Sequence, residues 1–162
     1  DKDRAIVEET KDLGFVRYAI SYLRDAREMS RYREICGRFT YLIAKIERRP
    51  AVDEASGIAQ VADELWLCRG DLGSELGMQA MAEAVHRFSS LPGKVKTPVL
   101  MAGQVLEHMT QHSLPTRSEA CYLYDTLAQG YAGFVLSDET AVGKYPLESC
   151  RWAAMFRTRQ PS

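Results

Sequence analysis

Three side chains in this chain are of the right types and spacing to do chemistry together. Lys45 and Glu47 lie two apart in Ile43-Ala44-Lys45-Ile46-Glu47, and Asp71 follows in Cys68-Arg69-Gly70-Asp71-Leu72-Gly73. Each stretch is a short apolar run that turns abruptly charged. In a strand, residues two apart share a face, so Lys45 and Glu47 point the same way. Two carboxylates at neighbouring strand ends suit Mg²⁺, which takes one or two protein carboxylates and completes its shell with water and substrate. An ammonium beside them can stabilise charge on a transferring phosphoryl group or an enolate. The competing reading is a solvated Lys–Glu ion pair with no catalytic consequence.

The elements that must position these groups follow from period and punctuation. Lys2 to Asp12 is helical and stops at Gly14, a glycine terminator. Phe15–Ile20 is a strand candidate. Asp25–Cys36 is an amphipathic helix closed by Gly37. Phe39–Glu47 reads as a buried strand, Pro50–Ala59 as a helix opened by proline, and Leu65–Cys68 as the next strand, each by length and residue type. Gly70–Gly77 is a glycine-spaced loop. Met78–Phe88 is a helix ended by Leu91-Pro92-Gly93, a breaker. Thr97–Ala102 is a strand, Gln104–Met109 a short helix, Arg117–Ala128 a helix and Tyr131–Leu136 the last strand. Ser137–Tyr145 is a loop and Pro146–Phe156 a final helix. Strands alternating with helices mean βαβ units and a parallel sheet. The expected fold is α/β, a parallel (β/α) barrel of the TIM type with only about five of its eight units. Such a partial barrel leaves sheet edges and one face for something else to cover.

Bulk properties narrow the function classes. The 162 residues suit one domain, 1–162, without an internal boundary. With 46% hydrophobic and 27% charged residues and a net charge of −1, the chain offers no electrostatic footprint for nucleic acid. No apolar run approaches a bilayer span and no signal-peptide pattern opens the chain. Cys36, Cys68, Cys121 and Cys150 lack paired spacing, so reduced thiols and a cytoplasmic location are expected. The chain opens at Asp1 rather than Met, which suggests a piece of something longer.

The charged strand ends also resemble a known family. Ile43-Ala44-Lys45-Ile46-Glu47, Cys68-Arg69-Gly70-Asp71-Leu72-Gly73, Pro115-Thr116-Arg117-Ser118-Glu119 and Ser137-Asp138-Glu139-Thr140-Ala141, with Tyr145-Pro146-Leu147-Glu148, look like pyruvate kinase. They match its motifs in order and spacing from the fourth barrel strand to the eighth. Ser21-Tyr22-Leu23-Arg24 resembles the motif after the fourth strand, and Thr97-Pro98-Val99-Leu100 the seventh.

The resemblance implies the second half of a catalytic barrel domain, without the family's lid or C-terminal regulatory domain. It implies phosphoryl transfer between phosphoenolpyruvate and ADP to give pyruvate and ATP, the last step of glycolysis. Lys45 would assist the transfer, Glu47 and Asp71 would hold Mg²⁺ or Mn²⁺, and the backbone N–H groups of Gly70 and Asp71 would bind the substrate carboxylate. Arg69, Ser21, Arg24 and Glu119 would support these groups. Potassium is implied too, with its family ligands outside this chain. The partners implied are phosphoenolpyruvate or pyruvate, ADP or ATP, and a second copy, chain or segment completing the barrel; no nucleic acid and no membrane are implied. Gly103 stands at the substrate where the family has threonine, and Arg48 where it usually has asparagine. The Gly103 exchange keeps a pyruvate-enolate aldolase or lyase open as an alternative. A catalytically degenerate accessory chain is another.

Other signals have plainer readings. His108 and His112 have a metal-compatible helical spacing but no third ligand in view. His86 is expected to be solvated. Arg69-Gly70-Asp71 spells an adhesion tripeptide but leaves a buried strand, and Gly70, Gly73 and Gly77 lack the dinucleotide fingerprint spacing. Cys68 is expected to be a buried thiol rather than a nucleophile. Trp66 and Trp152 are expected in core or interface, and Met78, Met81, Phe88 and Met101 in the core.

Overall fold

Five short strands form the frame: β1 (Tyr18–Ile20), β2 (Leu42–Ile46), β3 (Glu64–Cys68), β4 (Val99–Ala102) and β5 (Gly133–Val135). They come from a computed structural model that describes residues 2–157. The ends of the expected 1–162 domain, residue 1 and residues 158–162, lie outside the described residues. The strands pair in chain order and every pair is parallel. Around them run α1 (Lys2–Thr10), α2 (Ala26–Cys36), α3 (Arg49–Asp53), α4 (Ala55–Ile58), α5 (Arg69–Leu76), α6 (Met78–Phe88), a 3-10 turn (Glu107–Thr110), α7 (Arg117–Ala128), α8 (Asp138–Ala141) and α9 (Pro146–Arg157). The strand order never reverses, which distinguishes a barrel wall from a doubly wound sheet with a switch point. The chain is a partial parallel (β/α) barrel of five units, as its periodicity predicts.

Alternation along the strands decides which residues make the core and which face the site. Leu42, Ala44 and Ile46 of β2, Leu65 and Leu67 of β3, and Val99 and Met101 of β4 join one buried cluster with Met29, Ile58, Leu72, Ala84 and Phe88 from the helices. The strand residues between them point to the opposite, barrel-interior face. Lys45 pairs in register with Trp66, and Cys68 with Ala102. A second, smaller cluster (Val105, Leu106, Met109, Leu123, Ala153) seats the segments after β4 and β5. No helix among the described residues is long and apolar enough to cross a membrane.

Several boundaries differ from the sequence reading, each for a local reason. Phe15 and Phe39 lie outside their expected strands, 83% and 96% exposed. A turn holds the chain back before β2: Thr40 N donates to Gly37 O and Thr40 Oγ1 to Cys36 O. The expected loop Gly70–Gly77 is instead the helix α5. Its two interior glycines disfavour a helix intrinsically by about 1 kcal/mol each, so burial of Leu72 and packing on α6 override propensity. The expected loop 137–145 contains the single turn α8, and the helix expected over 50–59 is broken into α3 and α4 at Glu54. Met78 is 74% exposed rather than core, whereas Phe88 and Met101 are buried. Trp66 and Trp152 are half-buried, Trp152 against the second cluster.

Candidate functional site

The C-terminal ends of β1, β2 and β3 bring Ser21, Tyr22, Lys45, Glu47 and Asp71 into one neighbourhood. Glu47, one residue past β2, has a fully buried side chain, while Lys45 keeps 25% of its side chain exposed. Glu47 Oε1 accepts the Tyr22 backbone N–H at 2.7 Å. Its Oε2 lies 2.9 Å from Lys45 Nζ, an ion pair, and this buried oxygen has no further hydrogen-bond partner. Lys45 Nζ donates to Ser21 Oγ at 3.1 Å. Burial would lower the Lys45 pKa, but Glu47, with Asp71 adding to it, outweighs burial and holds the ammonium above its ordinary value. Lys45 is therefore a fixed positive charge at neutral pH.

Asp71 sits in the first turn of α5, directly after β3. Cys68 precedes the helix in an extended conformation with no side-chain cap, so the first N–H groups of α5 are open to an anion, favoured by the helix dipole. Gly103, just past β4, faces that turn: a Cβ added to it would stand 3.5 Å from Gly70 N and 3.8 Å from Arg69 N. Gly103 has φ +80° and Gln104 φ +49°. The Arg69 guanidinium donates to both of their carbonyls, at 2.9 Å to Gln104 O, and stacks over the Tyr122 ring. Arg69 thus clasps the β4 loop across the start of α5. Cys68 is buried, and desolvation pushes its thiol up to about 12, so it is a packing residue and not a nucleophile.

Glu47 Oε2 is buried without a hydrogen bond, and Asp71 is exposed, its Oδ1 meeting the Tyr22 hydroxyl at 3.5 Å. A divalent cation needing one or two carboxylates and several waters fits that donor set. Among the described residues there is no group of three or more His, Cys, Asp or Glu able to hold a metal, so these two acids are what the described residues would offer an ion here. His108 and His112 do not offer another centre, since their rings stack 3.8 Å apart and nearly parallel.

The remaining residues singled out in the sequence lie further off. Arg24 pairs with Glu28 at the start of α2. Glu119 builds the capping box of α7 with Thr116 and accepts His108 N at 2.8 Å, tying α7 to the segment after β4. Tyr22 was not singled out in the sequence. Its signal was its place in Ser21-Tyr22-Leu23-Arg24, at the mouth of a strand beside the acid of the next.

Comparison with known proteins adds the relationship. The family described as pyruvate kinase, barrel domain, matches residues 1–150. A pyruvate kinase of Agrobacterium vitis is 35% identical over 151 residues, covering 91% of this chain and 31% of that protein. One of Mycobacterium intracellulare is 34% identical over 143 residues, covering 86% of this chain and 30% of that protein. One of Aeropyrum pernix is 30% identical over 162 residues, covering 98% of this chain and 35% of that protein. The chain spans about a third of the length of these curated relatives.

Proposed function

This chain belongs to the pyruvate kinase family, and from that premise we propose that it carries the metal- and carboxylate-binding half of a phosphoryl-transfer site, its five strands corresponding to barrel strands four to eight. The reaction is transfer between phosphoenolpyruvate and ADP, giving pyruvate and ATP. The observation that carries it is the buried Glu47 Oε2, without a hydrogen bond beside the Lys45 ammonium, next to Asp71 and an uncapped helix start.

Each residue has a task that its surroundings support. The N–H groups of Gly70 and Asp71 hold the substrate carboxylate against the α5 dipole. Lys45 keeps its proton and neutralises charge on the phosphoryl group in transit, positioned by Ser21 and Glu47. Glu47 and Asp71 would hold Mg²⁺ or Mn²⁺, which would supply neutralisation of negative charge on the substrate. No residue of this chain is assigned to potassium. ADP and the rest of the phosphate site fall to a further segment or chain closing the barrel.

A test is ATP formation from phosphoenolpyruvate and ADP by this chain combined with one carrying barrel strands one to three. Activity that needs Mg²⁺ and is lost in Lys45→Ala supports the proposal; activity unaffected by Lys45→Ala refutes it.

A second reading is favoured by Gly103. With no side chain, it leaves space in front of Gly70 N and no hydroxyl to protonate an enolate, which suits aldol addition to or cleavage from a pyruvate enolate. Turnover of a 4-hydroxy-2-oxo acid without ATP formation, followed by NMR, distinguishes it from the kinase reading.

A further inference from the structure

We propose that Tyr22 is a positioning residue that sets both metal-holding carboxylates, one through its backbone and the other through its side chain. The proposal deepens the phosphoryl-transfer reading and rests on its assignment of Glu47 and Asp71. Tyr22 follows Ser21 at the end of β1 and is in the left-handed region, φ +57°. That region disfavours a bulky L residue and is natural to glycine. The sequence nevertheless has a tyrosine there, and its side chain is not used in the core, since the residue is 60% exposed.

What the conformation achieves is visible at its two polar ends. The turn aims the Tyr22 N–H at Glu47 Oε1, 2.7 Å away. With Oε1 occupied, Oε2 is the oxygen of Glu47 left without a hydrogen bond. The same residue sends its ring across the site, so that its hydroxyl donates to Asp71 Oδ1 at 3.5 Å. That contact is long, as functional hydrogen bonds often are before a ligand draws the groups together. Asp71 is 49 residues away in sequence and on another βα unit. Tyr22 is therefore a bridge between the two acids, fixing which oxygen of each faces the cation. Strain held at a non-glycine residue beside a binding site is the expected signature of such a role.

The test is Mn²⁺ binding to the 162-residue chain, read by electron paramagnetic resonance, alongside thermal melting. Tyr22→Phe removes only the hydroxyl; Tyr22→Gly removes the side-chain arm to Asp71 and relieves the backbone while keeping the N–H to Glu47 Oε1; Glu47→Gln is the control. The expected result is a Kd weakened about tenfold in Tyr22→Phe, the range seen when partners behind metal ligands are removed, with melting unchanged. Tyr22→Gly, which also lacks the hydroxyl, should bind about as weakly as Tyr22→Phe while melting at the same temperature or higher, a combination that a merely structural tyrosine would not give. Binding by both Tyr22 variants within about twofold of native, with Glu47→Gln impaired, overturns the role of Tyr22 and leaves the carboxylate site standing. No Mn²⁺ binding by the native chain, or binding indifferent to Glu47→Gln, overturns the carboxylate site and the inference with it.

Discussion

Replacing Lys45 by methionine tests the electrostatics of the site without any ligand. The variant keeps the aliphatic bulk and removes the ammonium 2.9 Å from Glu47 Oε2. Glu47 is then a buried carboxylate whose one strong partner is the Tyr22 N–H at 2.7 Å. Stripping the partner from a fully buried ion pair costs about 3–5 kcal/mol. The Lys45 side chain is 25% exposed, so water enters where it was and the expected cost falls to about 2–3 kcal/mol. For a domain of this size that lowers Tm by about 4–12 °C. Glu47→Gln in the same background removes the stranded charge, so the double variant should recover about 2 kcal/mol relative to the sum of the single changes. Thermal and urea unfolding of all four proteins gives the cycle. Additive single effects, or a Lys45→Met Tm within about 2 °C of native, would show that Glu47 does not depend on this ammonium and would refute the buried-pair reasoning.

Three further outcomes follow from other parts of the molecule. Burial raises the Cys68 pKa from 9.0 to about 12, so on alkalinisation the unfolded chain gives up this proton first; the Cys68 contribution to stability is level below pH 9 and declines between pH 9 and pH 12. Urea unfolding across that range should show the decline lessened in Cys68→Ala, and Ellman's reagent at neutral pH should label exposed Cys121 and Cys150 but not Cys68. Gly103→Ala places a Cβ in ordinary contact with Gly70 N at 3.5 Å, but at φ +80° it strains the backbone, and a loss of about 1–2 kcal/mol with weaker oxalate binding is expected in calorimetry and titration. Thr116→Ala breaks the α7 capping box and should cost about 1 kcal/mol in chemical unfolding, with Mn²⁺ binding unchanged.

The sheet and the site were legible to different depths. Length and residue type identify β2 in Leu42-Ile43-Ala44-Lys45-Ile46, and the two-residue period of a strand puts Lys45 and Glu47 on one face, with Leu42, Ala44 and Ile46 in the core. The frayed ends were not legible: Phe39 has a strand former's chemistry but lies in a turn closed by Thr40 and Cys36. The start of α5 reads as a loop because glycine signals turns locally, whereas burial of Leu72 and packing on α6 make Arg69–Leu76 helical. The N–H groups beside Asp71 come from the family resemblance rather than from the local pattern, and the start of α5 is where the structure has them. Tyr22 was hidden for a similar reason: its left-handed backbone and its reach to Asp71 arise from long-range contacts that no local pattern encodes.

Mn²⁺ titration of native and Asp71→Asn protein, with and without oxalate as an enolpyruvate mimic, bears on whether the two acids form one ligand site. Native protein should bind Mn²⁺, oxalate should tighten that binding, and Asp71→Asn should weaken it at least about tenfold while removing the oxalate effect. Equal affinity in the two proteins, or oxalate that leaves Mn²⁺ binding to native protein unchanged, would mean that Glu47, Asp71 and the α5 N-terminus do not act on one ligand.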